Sequence, residues 1–105
     1  MITNVYFKNI DPPPRLRTAL ERTRRALERR LKTFRPESAR LEAFVERPEP
    51  RDTRYEVSFV LRVKRHTLRS GAQVRRDPVA AVQAASDALL RQLERVKHKL
   101  RPSTH

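Results

Sequence analysis

Apolar residues recur three and four positions apart over the last third of the chain. Val79, Val82, Leu89, Leu93, Val96 and Leu100 therefore share one helical stripe. Asp77 offers an acceptor to the free N–H groups of a first turn, and Pro78 suits a position that needs no donor. A helix is predicted over Asp77 to Leu100. A second stripe, Leu16, Leu20, Leu27, Leu31 and Phe34 with Thr23 filling its gap, predicts a helix from Pro12 to Phe34. Asp11 is its expected cap, and Pro12-Pro13-Pro14 its opening turn.

Between and before the helices the period changes to two. Val5 and Phe7 alternate with Asn4, Tyr6 and Lys8, so Ile2 to Ile10 reads as a strand. After the turn Arg35-Pro36-Glu37-Ser38, the residues Ala39, Leu41, Ala43 and Val45 alternate with Arg40, Glu42, Phe44 and Glu46. Arg47 to Thr53 is a proline-rich loop, long for a hairpin and expected to be mobile. Tyr55, Val57, Phe59, Leu61 and Val63 give the clearest strand. A last strand alternates Leu68, Ser70, Ala72 and Val74, and Gly71 within it marks a bulge or a close backbone approach. The order is β-α-β-β-β-α. The expected fold class is α+β: a two-layer sandwich with two helices on one face of a four-stranded sheet. A helical connection between the first two strands suits a parallel crossover, and the last three strands form an antiparallel meander. Residues 1–101 form one domain in this reading, and residues 102–105 a short flexible tail.

Charge then separates the faces. The chain carries 25 Lys and Arg against 12 Asp and Glu, a formal net charge of +13. Such a balance points to a polyanionic partner, nucleic acid before an acidic protein or a membrane surface. The first helix alone has eight bases, Arg15, Arg17, Arg22, Arg24, Arg25, Arg29, Arg30 and Lys32, against Glu21 and Glu28. Most of them have no partner within that helix. The second helix turns basic past its middle at Arg91, Arg95, Lys97 and Lys99. If both helices cover the same side of the sheet, their outer faces form one cationic surface. Arginine suits phosphate because its planar fork donates two hydrogen bonds at once.

Catalytic chemistry has little support. His66, His98 and His105 are dispersed, there is no cysteine, and no serine sits in a nucleophile elbow. No glycine-rich phosphate loop is present. The chain reads as a non-enzyme with no metal, cofactor or small-molecule substrate. The absence of cysteine suits a reducing cytosol, and neither a signal peptide nor a membrane span is read, so a cytoplasmic location is expected. Tyr6 and Phe44 fall on the outward sheet face in this register. They could stack unpaired bases or simply pack across the strands, and packing is the simpler reading.

Several segments resemble the ribosome hibernation-promoting factor and protein Y family. Asp77-Pro78-Val79-Ala80-Ala81-Val82, then Leu89-Leu90-Arg91-Gln92-Leu93 and Lys97-His98-Lys99, are similar to that family's final helix. Asn9-Ile10, Leu16-Arg17, Leu20, Leu27-Glu28 and Leu31 match the end of its first strand and its first helical stripe. The resemblance implies the β-α-β-β-β-α fold and a stress-response role in translation regulation. It implies binding to ribosomal RNA of the small subunit, in the channel of messenger and transfer RNA, so that ribosomes stand idle. Arg91, Arg95, Lys97 and Lys99 would contact phosphates, with Arg25, Arg29 and Arg30 extending the surface. Pro78 and Val79 depart from the family's Met-Tyr, the Lys64-Arg65-His66 turn lacks its glycines, and the fourth strand needs a small shift to align. The chain ends soon after Leu100, like the short form, so pairing of ribosomes would need a second hibernation factor. Two alternatives stay open: a general binder of structured or double-stranded RNA, and an interaction module for an acidic protein.

Overall fold

A computed structural model of the chain describes residues 1–32 and 39–100, with side chains through residue 97. The expected turn at 35–38, Phe34, the side chain of Lys99 and the tail at 102–105 lie outside the described residues. The elements are β1 (Ile2–Lys8), α1 (Pro14–Leu31), β2 (Arg40–Glu46), β3 (Tyr55–Val63), β4 (His66–Arg69), β5 (Gln73–Arg75) and α2 (Pro78–Leu100). The sheet order is β1-β2-β3-β4, with β5 also paired to β3. β1 and β2 run parallel, and the remaining pairs are antiparallel. Both helices pack on one sheet face, as the alternation requires.

The core lies between the layers. Leu41, Ala43 and Val45 of β2 and Val57, Phe59, Leu61 and Val63 of β3 point inward against Leu16, Leu20, Leu27 and Leu31 of α1 and Val82, Ala85, Leu89 and Leu93 of α2. Burying each large side chain contributes about 1.5–3 kcal/mol. Thr23 fills its place in the α1 stripe because its hydroxyl donates to the Ala19 carbonyl at 3.2 Å.

Several boundaries differ from the sequence expectation, each for a local reason. β1 stops at Lys8 because Asn9 takes a left-handed φ of 57° and donates through Nδ2 to the Arg47 carbonyl. α1 starts later than expected, and its cap is Pro13, not Asp11. Pro13 is extended, and its carbonyl accepts from Leu16 and Arg17 at 3.0 and 3.3 Å, so the prolines themselves aim the chain into the helix. Asp77 does cap α2: its side chain accepts from the Val79 N–H at 3.2 Å. The loop at 47–54 is organised by Arg47, which donates to the Pro50 carbonyl at 2.9 Å and the Tyr55 hydroxyl at 3.2 Å, and by the Asp52–Arg54 pair.

The single expected last strand is two strands joined by a bulge. Val60 faces Arg69 and Leu61 faces Leu68, but Val57 faces Gln73, so one extra residue enters between them. Gly71, with φ of +71°, supplies the backbone turn there. The insertion reverses the alternation, because one residue of slip exchanges the faces of a strand. Leu68 and Ser70 are buried, whereas Val74 lies on the outer face opposite Glu56. Ser70 closes the gap: its hydroxyl accepts from the Phe59 N–H at 2.8 Å and donates to the Gly71 carbonyl at 2.7 Å.

Candidate nucleic-acid interface

Two exposed ion pairs mark how the helices, held by their buried stripes, lie against each other. Arg15 at the start of α1 meets Asp77 at the start of α2 at 3.4 Å, and Arg30 near the end of α1 approaches Glu94 at 4.0 Å. The helices therefore run side by side in the same direction. Their C-terminal ends lie together, and the Arg29 and Arg30 cations there complement the negative end of the α1 dipole. Gln92 ties α2 to the edge of the sheet. Its carbonyl oxygen accepts from the Arg69 N–H at 3.0 Å, and its amide donates to the Arg69 carbonyl. That contact sets the rotation of α2, and with it the direction of the flanking Arg91 and Arg95.

The acids of α1 are concentrated on one arginine. Arg24 donates to both oxygens of Glu21 and lies 2.7 Å from Glu28, while Arg25 reaches Glu21 at 3.3 Å. The Arg24 fork holds the Glu21 carboxyl down to a pKa of about 2, with Arg25 adding to the effect. Glu21 is thus shared by Arg24 and Arg25, and Glu28 goes to Arg24. Among the described residues, Arg22, Arg29, Arg91, Arg95 and Lys97 have no carboxylate partner.

The expected site residues with described side chains fall in three places. Arg30, Arg91 and Arg95 come together around one groove between the helices, which Asp87, Leu90 and Glu94 also line. Arg25 and Arg29 stand on the outer stripe of α1, both exposed. Lys97 is half-buried on the last described turn of α2. Arg22 belongs to the surface too, although the sequence reading left it out of the site. It lies three and seven residues before Arg25 and Arg29, the spacing of one stripe, and it lines a groove with Arg17 and Arg25. The stripe could have been found from that spacing alone.

The opposite face differs in kind. Lys8, Arg40, Arg62 and Arg69 there share the sheet with Glu42, Glu46 and Glu56, and Arg62 pairs directly with Glu42. Glu46 stands across from Glu56. A hydrogen bond between two carboxyls needs a proton, so Glu46, aided by partial burial, raises the Glu56 pKa. Tyr6 and Phe44 stack on each other on this face, with ring centres 5.2 Å apart and planes 15° apart. Among the described residues, no group of three or more His, Cys, Asp or Glu side chains is placed to hold a metal, and no helix is long and apolar enough to cross a membrane.

Comparison with known proteins agrees with this architecture. The N-terminal domain of Thermus thermophilus Protein Y has the same fold, with a TM-score of 0.67 at 15% identity over 89% of this chain and 93% of that one. A ribosomal subunit interface protein from Coxiella burnetii superposes with a TM-score of 0.62 at 15% identity, over 90% and 98% of the two chains. A search of curated sequences finds no match. The family model described as Sigma 54 modulation protein / S30EA ribosomal protein matches residues 3–101. With that match running through every element of the sandwich, the chain belongs to the Sigma 54 modulation protein / S30EA ribosomal protein family.

Proposed function

We propose that this chain is a cytoplasmic, ribosome-associated translation inhibitor. It binds ribosomal RNA of the small subunit through its paired helices, in the channel that messenger and transfer RNA occupy, and keeps ribosomes idle under stress. Pairing of ribosomes would call on a second hibernation factor. The observation that carries this reading is the asymmetry between the two faces. The helical face gathers Arg22, Arg25, Arg29, Arg30, Arg91, Arg95 and Lys97, and the two acids of α1 are engaged mainly with Arg24. The sheet face is close to charge balance.

The chemistry is that of backbone recognition. Guanidinium forks on parallel helices position a protein on phosphates without reading base edges. Each phosphate contact releases counterions, so binding weakens steeply with salt. Reversing Arg91, Arg95, Lys97 and Lys99 to Glu is expected to abolish inhibition of cell-free translation while the thermal unfolding transition is retained. Unchanged inhibition by a folded variant would place the contact surface elsewhere.

A further inference from the structure

The two edges of the sheet are finished differently. At β4 the Gln92 amide engages both backbone groups of Arg69, and the bulge before Gln73 interrupts the strand. Such devices keep an edge from pairing with another chain. β1 has none over its seven residues: no proline, no bulge, and one charge, Lys8, at its end. The Ile2 N–H bonds to the Ala39 carbonyl, and the Lys8 carbonyl accepts from Arg47, so the even-numbered residues direct their backbone groups at β2. The N–H and C=O groups of Thr3, Val5 and Phe7 therefore point to the open edge.

Both faces of this edge also expose apolar surface. Ile2 and Tyr6 are 52% and 48% exposed on the outer face, and Val5 is 37% exposed on the inner one. Beside Val5 runs a groove lined by Thr3, Phe7, Leu20 and Arg17. The Thr3 hydroxyl is buried without a hydrogen-bond partner.

We propose that the β1 edge pairs with the same edge of a second copy of this chain, antiparallel and two-fold symmetric about Val5, forming one sheet across both. The strand is self-complementary in that register. Val5 meets the second copy's Val5, Thr3 meets Phe7, Asn4 meets Tyr6, and Lys8 falls opposite Ile2, so no like charges stand face to face. The two Tyr6 rings lie on a diagonal within aromatic reach and extend the Tyr6–Phe44 stack across the seam. The contact is isologous, so assembly stops at two. Net charge opposes it, and Arg17 and Arg24 of α1 line the groove beside Val5 together with Glu21, so the contact depends on salt to screen the α1 cations. At physiological ionic strength charges farther apart than about 8 Å are largely screened.

This inference stands apart from the RNA-binding reading, and salt separates them: edge pairing strengthens as repulsion is screened, whereas phosphate binding weakens. Because the chain has no cysteine, a single introduced one reports register. Under mild oxidation, full-length Val5→Cys is expected to form a disulfide dimer about tenfold faster than Lys8→Cys, since only the former is held against its own copy. Sedimentation equilibrium is expected to show the mass rising from 12.4 kDa toward twice that value with concentration, more so at high salt. Val5→Pro removes an N–H that β1 does not use with β2, and is expected to keep the fold and lose the dimer. The proposal is overturned if the unmodified chain stays monomeric to millimolar concentration at high salt. It is equally overturned if Lys8→Cys crosslinks as fast as Val5→Cys, or if a folded Val5→Pro protein still dimerises.

Discussion

Replacing Gln92 by Ala tests the contact that orients the second helix. The substitution removes two hydrogen bonds to Arg69, one to its N–H at 3.0 Å and one to its carbonyl. A typical intramolecular hydrogen bond contributes about 0.5–1.5 kcal/mol net. Arg69 is exposed, so water can replace the lost partners, and the combined cost should be about 1–2 kcal/mol, the low side of two such bonds. For a domain of this size that lowers Tm by roughly 4–16 °C. Gln92→Glu sharpens the test. It keeps an acceptor for the Arg69 N–H but sets a carboxylate oxygen against the Arg69 carbonyl, so it should be less stable than Gln92→Ala at neutral pH. Acidification protonates the carboxylate, restores a donor and should narrow the gap. Thermal melts of the three proteins across pH supply the measurement. If Gln92→Ala melts with the parent protein, or Gln92→Glu matches the parent at neutral pH, the amide does not hold α2 to the edge.

Two further expectations concern the sheet. Ser70→Ala leaves the buried Phe59 N–H without its acceptor and should destabilise by about 1–3 kcal/mol in urea unfolding; Ser70→Thr should recover part of that loss. Glu56→Gln should stabilise the protein at neutral pH by about 0.5 kcal/mol, a figure kept low because water and salt screen the pair. The sign follows from the raised pKa: the folded state holds the Glu56 proton more tightly, so its contribution is full below the unfolded carboxylate range and is lost as pH rises through the folded value. The Gln variant should therefore lose its advantage in acid, which Tm measured against pH will show.

The sequence carried most of this architecture through periodicity. The stripes Leu16–Leu31 and Val82–Leu93 and the alternation in β2 and β3 all became core, because a half-buried element must repeat with its own period. The parallel pairing of β1 and β2 followed from the helix between them. What stayed illegible depended on single backbone or side-chain events that leave periodicity untouched. Asp11 read as the cap of α1, but the extended backbone of Pro13 starts the helix two residues later, which residue types alone do not show. Gly71 signalled a bulge, but its consequence, the outward turn of Val74, needs the register with β3. Gln92 stood out only as part of the Leu89-Leu90-Arg91-Gln92-Leu93 segment, and nothing local reveals that it reaches Arg69, 23 residues away. The basic surface was legible as charge, yet the division of labour was not. Arg24 engages both glutamates of α1 and shares Glu21 with Arg25, which leaves Arg22 and Arg29 on the outer stripe without a carboxylate.

The central claim is that the paired basic helices meet the RNA of the small ribosomal subunit. Co-sedimentation of the full chain with purified small subunits, large subunits and naked duplex RNA, at low and moderate salt, tests it most directly. The account predicts selective pelleting with small subunits that weakens as salt rises, and loses salt dependence in step with each arginine reversed, by a slope of about 0.7–0.9 per phosphate contact removed. Equal binding to any duplex, or no binding to small subunits even at low salt, would contradict it.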